Sequence, residues 1–159
     1  MSKKLKSSAQ IVQKALQQHG LACEVVQMRE TTRSAEDAAR AVGCEVGQIA
    51  KSLVFETTQS HRPVLVITSG ANRVNEKTIG QNLAETIKMA DPEFVREQTG
   101  FAIGGVAPTG LCQPLEIFID EDLLQYNEIW AAAGTPNAVF KLTPDELIRI
   151  TNGTVSSVK

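Results

Sequence analysis

Apolar and polar positions along this chain recur with two periods, one helical and one alternating. From Ser8 to Gly20, Ile11, Val12, Ala15 and Leu16 fall at helical spacing, and Gly20 offers a stop. Leu21 to Met28 is rich in Val and reads as a strand. Ser34 can cap a second helix, whose apolar stripe is Ala35, Ala38, Ala39 and Val42 and whose end is Gly43. Glu45 to Ile49 reads as a short helical turn leading into a strand, Lys51 to Glu56. A polar loop, Thr57 to Arg62, joins it to Val64–Thr68, opened by Pro63. That unbroken apolar run suits a central strand buried on both faces.

In the second half, Asn75 can cap a helix through Leu83, and Ile87 to Ala90 reads as a short strand. Asp91-Pro92-Glu93 starts a helix running to about Gln98, with proline at its first position. Gly100 to Gly110 is a glycine-rich loop, and Leu115 to Ile119 is a strand followed by Asp120 as a cap. Glu128–Ala133 and Ala138–Leu142 read as strands joined through Gly134-Thr-Pro-Asn137. Thr143-Pro144-Asp145-Glu146 is a capping box opening the last helix. Strands and helices do not alternate regularly, and several strand pairs have short connections. The expectation is an α/β chain of the α+β type: one domain over residues 1–159, core about 8–152, with a mixed, largely antiparallel sheet and flanking helices.

Composition narrows the functional classes. Only 4% of residues are aromatic, so the core must rest on Val, Ile, Leu and Ala. The formal charge of -2 argues against a general nucleic-acid binder and against specific DNA binding. Cys23, Cys44 and Cys112 are odd in number and widely spaced, with no C-x-x-C, which argues against a disulfide framework or a structural zinc site. His19 and His61 do not stand at metal-ligand spacing from a cysteine. The basic start, Met1 to Lys6, is not followed by an apolar stretch of signal or membrane-span length, so a cytoplasmic protein without membrane association is expected.

Two features can carry chemistry. Strand alternation puts Lys51 with Ile49, Leu53 and Phe55, the bulkier apolar side of its strand. A lysine there reaches a cavity mouth, finds a partner or titrates low; or it simply snorkels from a strand end. The loop Gly100-Phe-Ala-Ile-Gly104-Gly105-Val106-Ala107-Pro108-Thr-Gly110 lets the backbone approach a ligand, with free N–H groups facing an oxygen; a structural turn explains it equally. It is neither a Walker A loop nor a dinucleotide fingerprint. Ser34, Asp91 and Asp120 read as caps, Asn72, Arg73 and Asn75 as loop residues, Asn137 as a turn residue and Trp130 as packed in the sheet.

Taken in order, these segments resemble the YbaK-like aminoacyl-tRNA deacylases, related to the insertion editing domain of bacterial prolyl-tRNA synthetase. The likeness rests on Lys51-Ser-Leu-Val-Phe55, on Ala90-Asp-Pro-Glu-Phe-Val-Arg-Glu-Gln-Thr-Gly-Phe101, on Gly104-Gly-Val-Ala-Pro108-Thr-Gly110, on Leu115–Leu123, and on Ala132-Ala-Gly134 through the capping box. It runs from about Val12 to Thr151. The resemblance implies a free-standing enzyme hydrolysing the ester between a wrong amino acid and the 3′-terminal adenosine of a tRNA, such as that for proline. It implies Lys51 as the catalytic residue. Gly104, Gly105, Val106, Ala107, Pro108, Gly110 and Asn137 would contact substrate, the N–H groups of Gly104 to Pro108 holding the carbonyl oxygen. It implies no metal and no cofactor, attack by water or a group of the substrate, and a synthetase as a possible partner. The alternative is a non-catalytic module binding aminoacyl-adenosine, a nucleotide or a synthetase. Cysteine-clearing members often carry a tyrosine near Met28, a serine near Ala132 and a Lys/Arg-Arg-Gly stretch where this chain has Thr135-Pro-Asn137, which leaves the amino acid cleared open.

Overall fold

A computed structural model describes residues 7–29, 31–32 and 34–159; the basic start, Met1 to Lys6, lies outside the described residues. The elements in chain order are α1 (Ser7–Gln18), β1 (Val25–Gln27), α2 (Ala35–Val42), β2 (Ile49–Thr57), β3 (Pro63–Ser69), α3 (Glu76–Leu83), β4 (Ile87–Met89), α4 (Pro92–Thr99), β5 (Glu116–Asp120), β6 (Ile129–Ala132), β7 (Ala138–Leu142), α5 (Pro144–Thr151) and β8 (Thr154–Ser156). Short 3-10 turns precede β2 (Val46–Gln48) and follow β5 (Glu121–Gln125).

The expected caps close the helices. Ser34 accepts from Asp37 N, Asn75 from Lys77 N, Asp91 from Phe94 N and Thr143 from Glu146 N. Strand β1 is shorter than Leu21–Met28 because the chain before it is held by a side chain instead. Gln13 Nε2 donates to Cys23 O, and Val25 N donates to Gln13 Oε1. In α1, Ala9, Val12 and Leu16 are buried while Ile11 is exposed, so the buried stripe is narrower than the periodicity suggests.

The eight described strands form one mixed sheet in the order β1-β7-β6-β2-β3-β5-β8, with β4 beside β2. Pairings β1–β7, β6–β7, β2–β3 and β2–β4 are antiparallel; β2–β6, β3–β5 and β5–β8 are parallel. Strand β8 was not legible as a strand, and it adds to the sheet beyond residue 152. Alternation on β3 divides two cores: Leu65 and Ile67 pack among residues of α1, α4 and α5, while Val64 and Val66 pack with Ile79 of α3. A third cluster joins Ala35, Ala38 and Ala39 of α2 to Ile49.

Strand β3 pairs with β2 along nearly its whole length, Ala50 to Glu56. The other edge of β2 is shared by two strands that do not meet. Strand β6 pairs only at Ile49 and Ala50, and β4 pairs from Phe55 to Thr57, with Ala90 N donating to Val54 O. Between them the sheet has a slot beside Lys51, Ser52 and Leu53.

Candidate active site

Lys51 lies where two packed clusters part. On its face of β2, Ile49 packs with α2, while Leu53 and Phe55 pack with the cluster that holds Ile79 of α3, so Lys51 falls between the two. Lys51 is therefore exposed, although its strand neighbours are apolar. Its ammonium makes no ion pair or hydrogen bond with any described residue.

At the slot lies a cavity of about 320 Å³, small for a ligand pocket, where roughly 300–1,000 Å³ is usual. Lys51, Ser52, Gly104 and Val106 line it, with Ala35, Ala38, Val54, Ala90, Val95, Ala131 and Ala132 among its apolar walls. Of its hydroxyl groups, that of Ser34 is committed to Asp37 N and that of Thr32 donates to Pro136 O. The hydroxyl of Ser52 is buried without a partner. Met89 and Ile103, 57% and 48% exposed, put two large apolar side chains on the rim.

The glycine loop meets this cavity only at its first half. Gly104 has φ +91°, a conformation open to glycine at little cost, and it turns the chain between exposed Ile103 and buried Val106. Gly105 does not line the cavity. Its N–H donates to Ala102 O at 3.0 Å, so this donor is already used, and Pro108 has none to offer. Ala107 is fully buried. Pro108 and Gly110 line a different, open hollow beside Ile150 and Asn152. Asn137 is also away from the cavity. Its Nδ2 donates to Met28 O at 3.1 Å, its Oδ1 accepts from Thr135 Oγ1, and its carbonyl accepts from Met28 N. It ties the end of β1 to the β6–β7 turn, and Thr32, bonded to Pro136 O, follows on that tie into the cavity wall.

Among the expected residues, then, the structure brings together Lys51, Gly104 and Val106, and sets Gly105, Ala107, Pro108, Gly110 and Asn137 around or apart from them. Sequence reasoning missed Ser52, Thr32 and the rim pair Met89 and Ile103. It also put Trp130 simply in the sheet, whereas Trp130 lines the cavity and packs against the α2 cluster. Ala132, one of the three departures from the cysteine-clearing pattern, lies in the wall too. Burial pushes the Cys23 and Cys44 thiols up, away from the range of an activated nucleophile. Among the described residues no group of three or more His, Cys, Asp and Glu could hold a metal ion, and no helix is long and apolar enough to cross a membrane.

A small, mostly apolar chamber reached through a slot in a sheet, with one unpaired ammonium beside it, suits a small acyl group attached to something larger outside. Comparison with known proteins gives the class a name. Residues 29–150 match the aminoacyl-tRNA editing domain, and the chain belongs to that family; it is an aminoacyl-tRNA deacylase. A solved structure described as a candidate trans-editing enzyme for prolyl-tRNA synthetase is 46% identical, with a TM-score of 0.92 over 98% of this chain and 99% of that one. YwhH of Bacillus subtilis is 32% identical over 124 residues, 78% of each chain. EbsC of Enterococcus faecalis, described as a candidate Cys-tRNA(Pro)/Cys-tRNA(Cys) deacylase, is 28% identical over 79% of this chain and 76% of its own.

Proposed function

We propose that the chain acts in trans on a mischarged tRNA, that for proline or a related one, with the aminoacyl end seated in the Lys51 cavity. The observation that carries this reading is that an unpaired ammonium and the backbone of Gly104 line the same small apolar chamber. An aminoacyl ester is already labile, so holding it in one orientation supplies much of the acceleration. The Lys51 ammonium faces the ester oxygens and stabilises the negative charge that builds on the carbonyl oxygen. The turn at Gly104 closes over the acyl group. The attacking oxygen comes from water or from the ribose of the substrate.

The apolar walls disfavour a charged amino-acid side chain, because Lys51 is the only charged residue in the described lining and no carboxylate stands there to pair a cation. Their small residues, Ala90, Ala131 and Ala132, leave room for a small side chain. Met89 and Ile103 on the rim offer an apolar platform for the terminal adenine. On this reading the partner is charged tRNA, with a synthetase as a further partner, and the working compartment is the cytoplasm.

Incubating the protein with tRNA for proline charged with alanine, cysteine or serine tests it. Loss of the ester above the spontaneous rate with at least one of them is expected. Tight binding without turnover would favour the non-catalytic module, and neither binding nor turnover would remove the proposal.

A further inference from the structure

Ser52 is the one position of β2 with a buried side-chain oxygen that has no partner within the fold. Its hydroxyl oxygen is buried without a hydrogen-bond partner, which is uncommon in a native interior. Its main chain stands at a gap in the strand pairing. In an antiparallel pair, successive residues direct their N–H and C=O to opposite edges of the strand. Ile49 O accepts from Gly70 N and Thr57 N donates to Arg62 O, so the odd-numbered residues of β2 face β3. Val54 O accepts from Ala90 N, so the even-numbered ones face the other edge. On that edge β6 has left after Ala50 and β4 joins at Phe55. The N–H and C=O of Ser52 belong to neither ladder and face the slot.

We propose that Ser52 is a substrate-contacting specificity residue: its hydroxyl and carbonyl oxygens together accept the α-ammonium group of the aminoacyl ester. This rests on the reading of the cavity as an aminoacyl-adenosine site. The chemistry selects the ammonium end. An α-ammonium brings several donors and a positive charge into an apolar chamber, and it needs more than one oxygen to replace its water. Ser52 presents two acceptors at one place. Alternation also sends its side chain to the face of β2 opposite that of Lys51, toward Ala50 and Val54. The two positive charges are thereby handled on different sides of the strand. The ammonium then fixes the acyl group relative to Lys51, and an α-hydroxy acid of the same shape is held less well.

A structural role and this role predict opposite signs for one substitution. If the hydroxyl served the fold, Ser52→Ala would lower stability. An unpartnered buried hydroxyl costs free energy to keep, so on the proposal its removal leaves stability equal or raises it while binding suffers.

The test uses two non-hydrolysable probes, 3′-(L-alanylamino)-3′-deoxyadenosine and its L-lactylamino counterpart, which differ only in ammonium against hydroxyl. Trp130, the single tryptophan, lines the cavity and reports binding by fluorescence. Wild type is expected to bind the alanyl probe about tenfold or more tighter than the lactyl probe, the scale of a hydrogen bond to a charged group. Ser52→Ala loses about tenfold for the alanyl probe, changes less than about threefold for the lactyl probe, and unfolds at or above the wild-type temperature. Ser52→Thr, which keeps the hydroxyl, retains the preference. Equal losses for both probes, no loss for either, or a clear fall in the unfolding temperature of Ser52→Ala overturns the assignment. Wild type binding both probes equally removes this inference and leaves the site reading standing. Wild type binding neither removes both.

Discussion

Gly105 lies so close to Thr135 that a side-chain carbon on its Cα would stand 2.9 Å from the N, Cα and C atoms of Thr135. This contact seats the glycine loop on the β6–β7 turn and leaves Gly104 to face the cavity. Gly105 thus serves loop placement, and its N–H is taken up by Ala102 O.

Gly105→Val should force the loop and the turn apart. The expected cost is about 1–3 kcal/mol, typical of overpacking, and a lower unfolding temperature should accompany weaker binding of an aminoacyl-adenosine analogue. Calorimetry and a binding titration check both. Wild-type values in each would contradict the contact.

Asn137→Ala removes two side-chain hydrogen bonds, to Met28 O and from Thr135 Oγ1. A loss of about 1–2 kcal/mol in chemical unfolding is expected. Because Asn137 acts through the tie between β1 and the turn, KM should rise with little change in the pH dependence of kcat. An altered pH profile would instead mean that Asn137 reaches the substrate.

Ile103→Ser tests the rim. With an exposed apolar side chain lost and the fold untouched, KM for a mischarged tRNA should rise by about three- to tenfold, with kcat nearly unchanged. A fall in kcat at unchanged KM would mean that Ile103 orders the Gly104 turn during the reaction instead.

Glu85 offers a pH prediction remote from the site. Hydrogen bonds, first from the main-chain N–H of Ser60 and then from its hydroxyl and Gln59 N–H, lower its pKa from 4.5 to about 2. A depressed folded value means that its stabilising contribution is complete above the unfolded value and lost as pH falls through the folded one. The stability difference between wild type and Glu85→Gln should therefore be constant above about pH 5 and vanish as pH falls toward about 2. A difference unchanged across that range would contradict the role of the carboxylate.

Much of the fold is legible because it is local. Ser34, Asn75, Asp91 and Thr143 announce helix starts by chemistry that acts within three residues. The alternation of β2 and the apolar run of β3 are likewise written in neighbouring positions. What was illegible depends on distant partners. Thr154–Ser156 becomes a strand only because β5 offers a free edge. Ser52 reads as an ordinary strand serine until it is known that β6 leaves β2 after Ala50. Pro108 and Gly110 stand within a few residues of Gly104, yet buried Val106 and Ala107 carry the chain across the core to another surface. Lys51 carried a sequence signal of its own, a charge on the bulkier side of a strand, and the glycine-rich loop carried a second, of which Gly104 and Val106 reach the cavity.

The direct measurement of the central claim is single-turnover hydrolysis of a mischarged proline tRNA by wild type, Lys51→Ala and Lys51→Arg, each first shown to unfold at the same temperature. The expected result is a loss of about 10²–10³-fold for Lys51→Ala, the scale seen when one group stabilising a developing oxyanion is removed, with partial activity in Lys51→Arg. Hydrolysis by Lys51→Ala at the wild-type rate would contradict the account.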